Sequence, residues 1–250
     1  MTPWLIAAPA VAVGLAGVTA YAAVQPRAQL FGPTLWRTSQ PDKLALTFDD
    51  GPNPALTPKL LDLLDRHRAK ATFFLVGKYV RESPGLVKEM AARGHVLGNH
   101  TETHPNLFFC GSAETRDELL RCSEAIHQAA WEKPRWFRPP FGFRGPWTIA
   151  IALRLGMPTV MWSLIPGDWR QKSPDWLIDR MKPIAARAQA KSFQTPSSGD
   201  VLCLHDGDYA RPNADRARTL AALEFWLPRW SDLGLKFVTI SQAAGKVVEG

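Results

Sequence analysis

Cysteine is scarce in this chain, with three in 250 residues, at Cys110, Cys122 and Cys203. That excludes a disulfide-built scaffold, and the spacing matches no structural zinc motif. An odd count leaves at least one thiol free. Sequence leaves a Cys110–Cys122 bridge open; the default expectation is buried packing thiols, with Cys203 inside an apolar strand. No glycine-rich dinucleotide turn is present, which argues against a Rossmann sheet. No repeat or heptad pattern occurs. No run of five or more basic residues accompanies the net charge of +7. The positive balance therefore reads as a solvated surface with some attraction to anionic envelope polymers or lipid headgroups, and no nucleic-acid partner is expected. No protein partner is evident either.

Charge is also missing from Trp4 to Val24. As a helix that stretch would be about 31 Å long, enough to cross a bilayer core. Ala20-Tyr21-Ala22 offers a small-x-small cleavage site, yet no Lys or Arg stands at the extreme N-terminus. Residues 1–24 are expected to be a signal peptide or a membrane anchor, which places the rest outside the cytoplasm. Arg27, Arg37 and Lys43 follow closely and pull the orientation the other way. Residues 25–41, with Pro26, Pro33 and Pro41, read as a linker, and 42–250 as one domain.

What the chain does have is a hydrophobic fraction of 46% and a repeated alternation of short apolar runs with amphipathic stretches. Strands are expected at Lys43–Phe48, Ala71–Val76, His95–Gly98, Arg135–Arg138, Pro158–Ser163, Asp200–His205 and Lys236–Ile240. Helices are expected at Thr57–Arg68, Pro84–Arg93, Ser112–Ala130, Pro146–Leu155, Pro174–Ala190 and Ala214–Leu233, with a polar loop at Lys191–Gly199. Such alternation implies an α/β fold with a parallel sheet, closed or partly closed into a barrel. Asp49, Asp50, His100, Arg138, Asp168 and His205 all fall at or just after carboxyl ends of these strands. Those ends share one face of a barrel, where catalytic groups gather.

Asp49-Asp50 is a doubled carboxylate, and adjacent carboxylates repel unless a cation sits beside them. His100 and His104 are spaced to meet one metal from a helical turn or a tight loop. One Asp can then be a ligand while the other stays a free base, the division of labour that metal-assisted hydrolysis requires. His67 and His127 are expected to be exposed, and His95 to pack. Trp136, Trp147 and Trp176 are candidates to line a groove, although packing is the plainer role.

The segments Thr47-Phe48-Asp49-Asp50, His100-Thr101-x-x-His104, Arg138-Pro139-Pro140-Phe141-Gly142, Asp168-Trp169 and Leu202-x-Leu204-His205-Asp206 appear in the order of the five motifs of the polysaccharide deacetylases, which the chain resembles over roughly residues 43 to 240. That family includes chitin, chitooligosaccharide and peptidoglycan deacetylases. The resemblance implies a distorted (β/α)7-8 barrel of the polysaccharide deacetylase type, preceded here by an N-terminal hydrophobic helix. It implies hydrolysis of N-acetyl groups on sugars with a divalent metal, zinc first and cobalt or manganese next. Asp50, His100 and His104 match the metal ligands, Asp49 the general base and Arg138 the arginine that orients it. His205 matches the general acid and Asp168 its partner. Trp169 and Leu204 match the walls that receive the acetyl methyl, and the backbone N–H of Phe141 an oxyanion donor. Where relatives often carry an acid three positions before Asp-Trp, this chain has Ile165. The implied partners are an N-acetylated carbohydrate and, through the N-terminal segment, the membrane. Rival readings are a non-catalytic carbohydrate-binding relative, an amidohydrolase for a small non-sugar amide, and an iron oxygenase built on two histidines and a carboxylate.

Overall fold

The computed structural model describes residues 17–170, 172–190 and 198–244. Residues 1–16, most of the expected signal or anchor, and 191–197, most of the expected polar loop, lie outside the described residues, as do 245–250. Residues 17–24 form a helix, α1. Among the described residues no helix is long and apolar enough to cross a membrane.

The fold is α/β and its named strands run parallel to their partners. At its centre lies β2 (Lys43–Gly51), buried along nearly its whole length. One edge of β2 pairs with β6 (Asp200–His205) and the other with β3 (Thr72–Leu75), which in turn pairs with β4 (Val96–Asn99). β7 (Lys236–Val238) pairs with the first residues of β2, Lys43–Ala45. A second parallel pair joins β1 (Thr34–Leu35) to β5 (Thr159–Val160). Single parallel bridges link Asn99 to Phe137, Phe137 to Thr159, and Leu164 to Leu202.

Side-chain alternation along β2 sorts its residues between two environments. Leu44, Leu46 and Phe48 join the large core formed with the helices, among them Leu60, Leu61, Leu63 and Leu64 of α2 (Thr57–Arg66) and Trp226, Leu227 and Trp230 of α8 (Ala217–Asp232). Ala45 points the other way, into a cluster with Phe74, Trp136, Val160, Val201 and Val238. The expected helices form as α4 (Pro84–Ala92), α5 (Ser112–Ala130), α6 (Thr148–Arg154) and α7 (Pro174–Gln189), besides α2 and α8. Gly94 and Gly156 follow α4 and α6 with φ of +79° and +76°, a conformation glycine adopts without a β-carbon clash.

Several expectations change. The stretch 25–41 is tied into the sheet: Thr34–Leu35 forms β1 between its prolines, and Met161 N–H donates to Leu35 O at 2.7 Å. Arg135–Arg138 is reduced to the bridge at Phe137, because Pro134, Pro139 and Pro140 remove backbone donors on both sides. α3 (Gly77–Glu82) and α9 (Ile240–Ala243) were not expected; both are too short to show a helical period. His67 and His127 are half-buried rather than exposed. Trp131, in a left-handed conformation after α5, brings its ring against that of His127. All three cysteines are free and buried, so Cys110 and Cys122 are not bridged.

His95 packs as expected, edge-on to Phe73, and its Nδ1 accepts the Ala71 N–H at 3.2 Å. Burial pushes its pKa from 6.5 down to about 4. The unfolded chain therefore takes up a proton that the folded chain refuses, so this contribution to stability is intact above 6.5 and is lost as the pH falls towards 4. Urea unfolding near pH 7 and near pH 4 should show wild type losing about 3 kcal/mol more than His95→Leu. Equal losses in the two proteins would refute the assignment.

Candidate active site

The register of β2 and β6 places Asp49 opposite His205. β4 ends at Asn99, so His100 opens the following loop at the same end of the sheet. Simple alternation would send Asp49 and Asp50 to opposite faces. It fails here because the β2–β3 register shifts between Asp49 and Gly51. Asp50 is the extra residue of this bulge, with φ of 70°, a left-handed conformation that Asp tolerates better than most residues. The bulge brings both carboxylates to one cleft. Thr101, His104 and Phe141 also have positive φ, at 69°, 63° and 56°. Such strain concentrates where a site must be held in one shape. A β-carbon at Gly207 would collide with the Asp50 carbonyl, so the loop after β6 needs glycine there.

His100 and His104 come from a tight loop rather than a helix. Asn99 braces it: its Oδ1 accepts Thr101 N–H at 2.8 Å, and its Nδ2 donates to Leu119 O and Ser123 Oγ. Glu118 of α5 accepts from both the N–H and the hydroxyl of Thr103 at 2.8 Å. Thr101 Oγ1 accepts His104 N–H at 3.0 Å. His100 Nδ1 lies 2.7 Å from the Arg138 carbonyl, which can only accept. The proton therefore sits on Nδ1 and leaves a bare lone pair on Nε2.

That Nε2 and the Nε2 of His104 lie 3.5 Å and 3.1 Å from Asp50 Oδ1. Neither is aligned to donate to it, for Oδ1 is buried with no hydrogen-bond partner. Burial pushes the His104 pKa down, keeping that ring neutral and able to ligate. An orphaned carboxylate oxygen facing two imidazole nitrogens fits a divalent cation, and nitrogen–oxygen donors suit zinc. A second group within the same reach, Asp49, Cys203 and His205, fits less well. Burial, then Asp49, pushes the Cys203 thiol well above its ordinary range, so it keeps its proton.

Asp49 has a different partner. Arg138 is fully buried, and its Nη1 donates to Asp49 Oδ1 at 2.7 Å and to Thr47 Oγ1 at 2.8 Å. Only one nitrogen reaches the carboxylate, so the contact is end-on rather than a two-pronged fork. Nη2 and Nε instead donate to the carbonyls of Met161 and Val160, and the guanidinium lies 4.2 Å over the Phe74 ring. Cys203 Sγ donates to Asp49 Oδ2 at 3.3 Å. Across the cleft, Asp168 Oδ1 lies 2.8 Å from His205 Nδ1, and its Oδ2 accepts from His205 N–H and from the Thr219 hydroxyl. Burial works against the His205 imidazolium, but Asp168 prevails and raises the pKa to about 9.

Phe141, Trp162, Ile165, Trp169 and Tyr209 wall a cleft of about 460 Å³ whose floor is Asp49, Asp50, His100, His104 and His205. Ile165 thus presents an apolar surface there. Leu204 does not line the cleft: one step along β6 from His205, it faces the helices and is fully buried in the large core. Trp136, Trp147 and Trp176 are elsewhere, with Trp136 Nε1 on Ser241 and Trp147 Nε1 on Cys110 O. Sequence reasoning missed Tyr209, whose ring stacks 4.5 Å from that of His104, with Phe141 edge-on to both. It also missed Asn99, Glu118, Thr219 and the role of Cys203. None stands in a recognisable spacing, although Asn99 directly precedes His100.

Metal-free protein titrated with Zn²⁺ should take up one equivalent, and His104→Ala should weaken that binding by more than about 100-fold. Binding unchanged in the variant would place the cation elsewhere.

Known proteins resemble this chain in sequence and in fold. The family model for polysaccharide deacetylase matches residues 37–160. A chitooligosaccharide deacetylase of Sinorhizobium fredii is 35% identical over 203 residues, 79% of this chain and 89% of that protein. A peptidoglycan-N-acetylglucosamine deacetylase of Bacillus cereus is 35% identical over 213 residues, 84% and 92% of the two chains. Among solved structures, the Bc1960 peptidoglycan N-acetylglucosamine deacetylase superposes with a TM-score of 0.73 at 31% identity, covering 84% of this chain and 92% of that one. BA3943 of Bacillus anthracis, a pseudoenzyme of carbohydrate esterase family 4, superposes at 0.71 with 27% identity, covering 84% and 68%. The chain belongs to the polysaccharide deacetylase family.

Proposed function

We propose that this protein removes acetyl groups from N-acetylated amino sugars in a polysaccharide or oligosaccharide, with peptidoglycan, chitin-like chains and exopolysaccharide as the candidate polymers. One observation carries the reading: two neighbouring carboxylates face one cleft with separate partners, Asp50 the imidazole pair and Asp49 the buried Arg138. The fold alone does not carry activity, since one neighbour is a pseudoenzyme. Here the candidate base and acid both line the cleft. Its aromatic walls suit the apolar faces of sugar rings, and relatives named for chitooligosaccharide and peptidoglycan support the substrate class. The strand bridges around the sheet support its closing as the distorted (β/α) barrel expected from the motifs. We place the catalytic domain outside the cytoplasm, where such polymers lie.

Asp50, His100 and His104 would hold the cation. When bound, it supplies Lewis-acid polarisation of the acetamide carbonyl and lowers the pKa of water from ~15.7 towards ~7. Asp49, fixed by Arg138, takes a proton from the attacking water. The Phe141 N–H serves as an oxyanion donor. Amide nitrogen is a poor leaving group unless protonated. His205 donates that proton, its Nδ1 held by Asp168 so that Nε2 is the transferring atom. Trp169 receives the acetyl methyl. Acetate and the free amino sugar leave.

Asp49→Asn should keep its metal and lose about 10²- to 10⁴-fold in acetate release from chitooligosaccharide or peptidoglycan. Full activity would remove Asp49 from the role of base. Asp168 favours the charged form of His205, so its loss lowers that pKa. Asp168→Asn should therefore move the alkaline limb of kcat/KM down by about one to two pH units. An unmoved or upward-shifted limb would contradict the pairing.

A further inference from the structure

Arg144 is fully buried, and no carboxylate pairs with it among the described residues. Backbone carbonyls meet its charge instead. Nη2 donates to Ala22 O and Gln25 O, each at 2.7 Å, and Nη1 donates to Gly142 O at 3.1 Å. The Arg144 backbone N–H donates to Ala23 O at 3.1 Å. Burial pushes the guanidinium pKa down to about 10, so it remains charged at neutral pH. The last carbonyls of a helix carry partial negative charge, and a cation there is stabilising. Arg144 thus caps the C-terminal end of α1. The same guanidinium grips Gly142, which lines the cleft beside Phe141.

The contact is seated, not superficial. Ala22 and Ala23 are only 2% and 3% exposed. The chain that follows is fastened by the β1–β5 pair. The opposite side of α1 leaves Val18, Tyr21 and Val24 exposed, an apolar stripe at the end of the uncharged sequence Trp4–Val24. Cleavage after Ala22 would remove a carbonyl that accepts from Arg144 and leave a new ammonium at Ala23. A positive group would then stand beside a buried guanidinium, where the fold supplies negative dipoles.

We infer that the chain is not processed at Ala20-Tyr21-Ala22: the end of α1 is a permanent part of the folded domain, and Arg144 is a positioning residue that joins it to the Phe141–Gly142 loop of the cleft. The apolar run before α1 stays attached and tethers the protein to lipid. This goes beyond the deacetylase reading, and only its activity arm rests on that reading.

The test uses the full chain, expressed into a bacterial envelope and extracted from the membrane fraction. Intact mass should correspond to an unprocessed N-terminus; a protein beginning at Ala23 or later would overturn the inference. In Arg144→Met, amide exchange in peptides covering 17–25 and 139–145 should accelerate together, with β2 and β6 protected as in wild type. Exchange unchanged in either peptide would contradict the joint. The kcat for acetate release should fall at least about 10-fold with metal content and KM kept, and Arg144→Lys should recover part of it. Loss of metal along with activity would instead mark Arg144 as a general fold residue and sink the positioning role. Should wild type release no acetate, the mass and exchange arms still decide.

Discussion

The Asp49–Arg138 ion pair is the constraint on which the rest of the site depends. Both side chains are withdrawn from water, and such a pair survives only when its remaining donors are satisfied as well. Thr47, Val160 and Met161 supply those acceptors, and Phe74 supplies a ring face. Asp49 thus has its own cation in Arg138. Asp50 is then the carboxylate left facing the two imidazoles. Removing one partner from a buried pair typically costs about 3–5 kcal/mol, because a charge is left uncompensated. Charge separation between neighbouring residues is thus secured by the fold before any substrate arrives.

Two backbone features make that separation possible. The bulge at Asp50 rotates one carboxylate out of the strand alternation, while Asp49 keeps the register that faces His205. The Arg138 carbonyl then fixes the tautomer of His100, so one residue holds Asp49 by its side chain and His100 by its backbone. Asp168 orients His205 from the other side through its Nδ1. Each reactive side chain is oriented by a neighbour on a different element, which lets short, irregular loops present a stiff site.

The parallel strands and the longer helices were legible because hydrophobic period and motif position agreed. Asp49, Asp50, His100, Arg138, Asp168 and His205 gather as their places after successive strands implied, and His104, Phe141 and Trp169 join them as the family resemblance implied. Leu204 was misplaced because motif membership was followed where strand parity should have ruled: alternation puts it opposite His205. Tyr209, Asn99 and Thr219 were invisible because their roles arise from tertiary neighbours, not spacing. Pro26 and Pro33 suggested a linker, yet the two residues needed for β1 fit just after them. Arg144 looked like one more scattered base; only the approach of the α1 carbonyls gives it a role.

In the proposed site Asp50, His100 and His104 take the cation while Asp49 does not. Crystals grown with zinc and measured across its absorption edge should show one anomalous peak about 2.0–2.2 Å from an Asp50 oxygen and from both Nε2 atoms, with Asp49 outside bonding distance and still against Arg138. A peak ligated by Asp49, or seated among Asp49, Cys203 and His205, would contradict it.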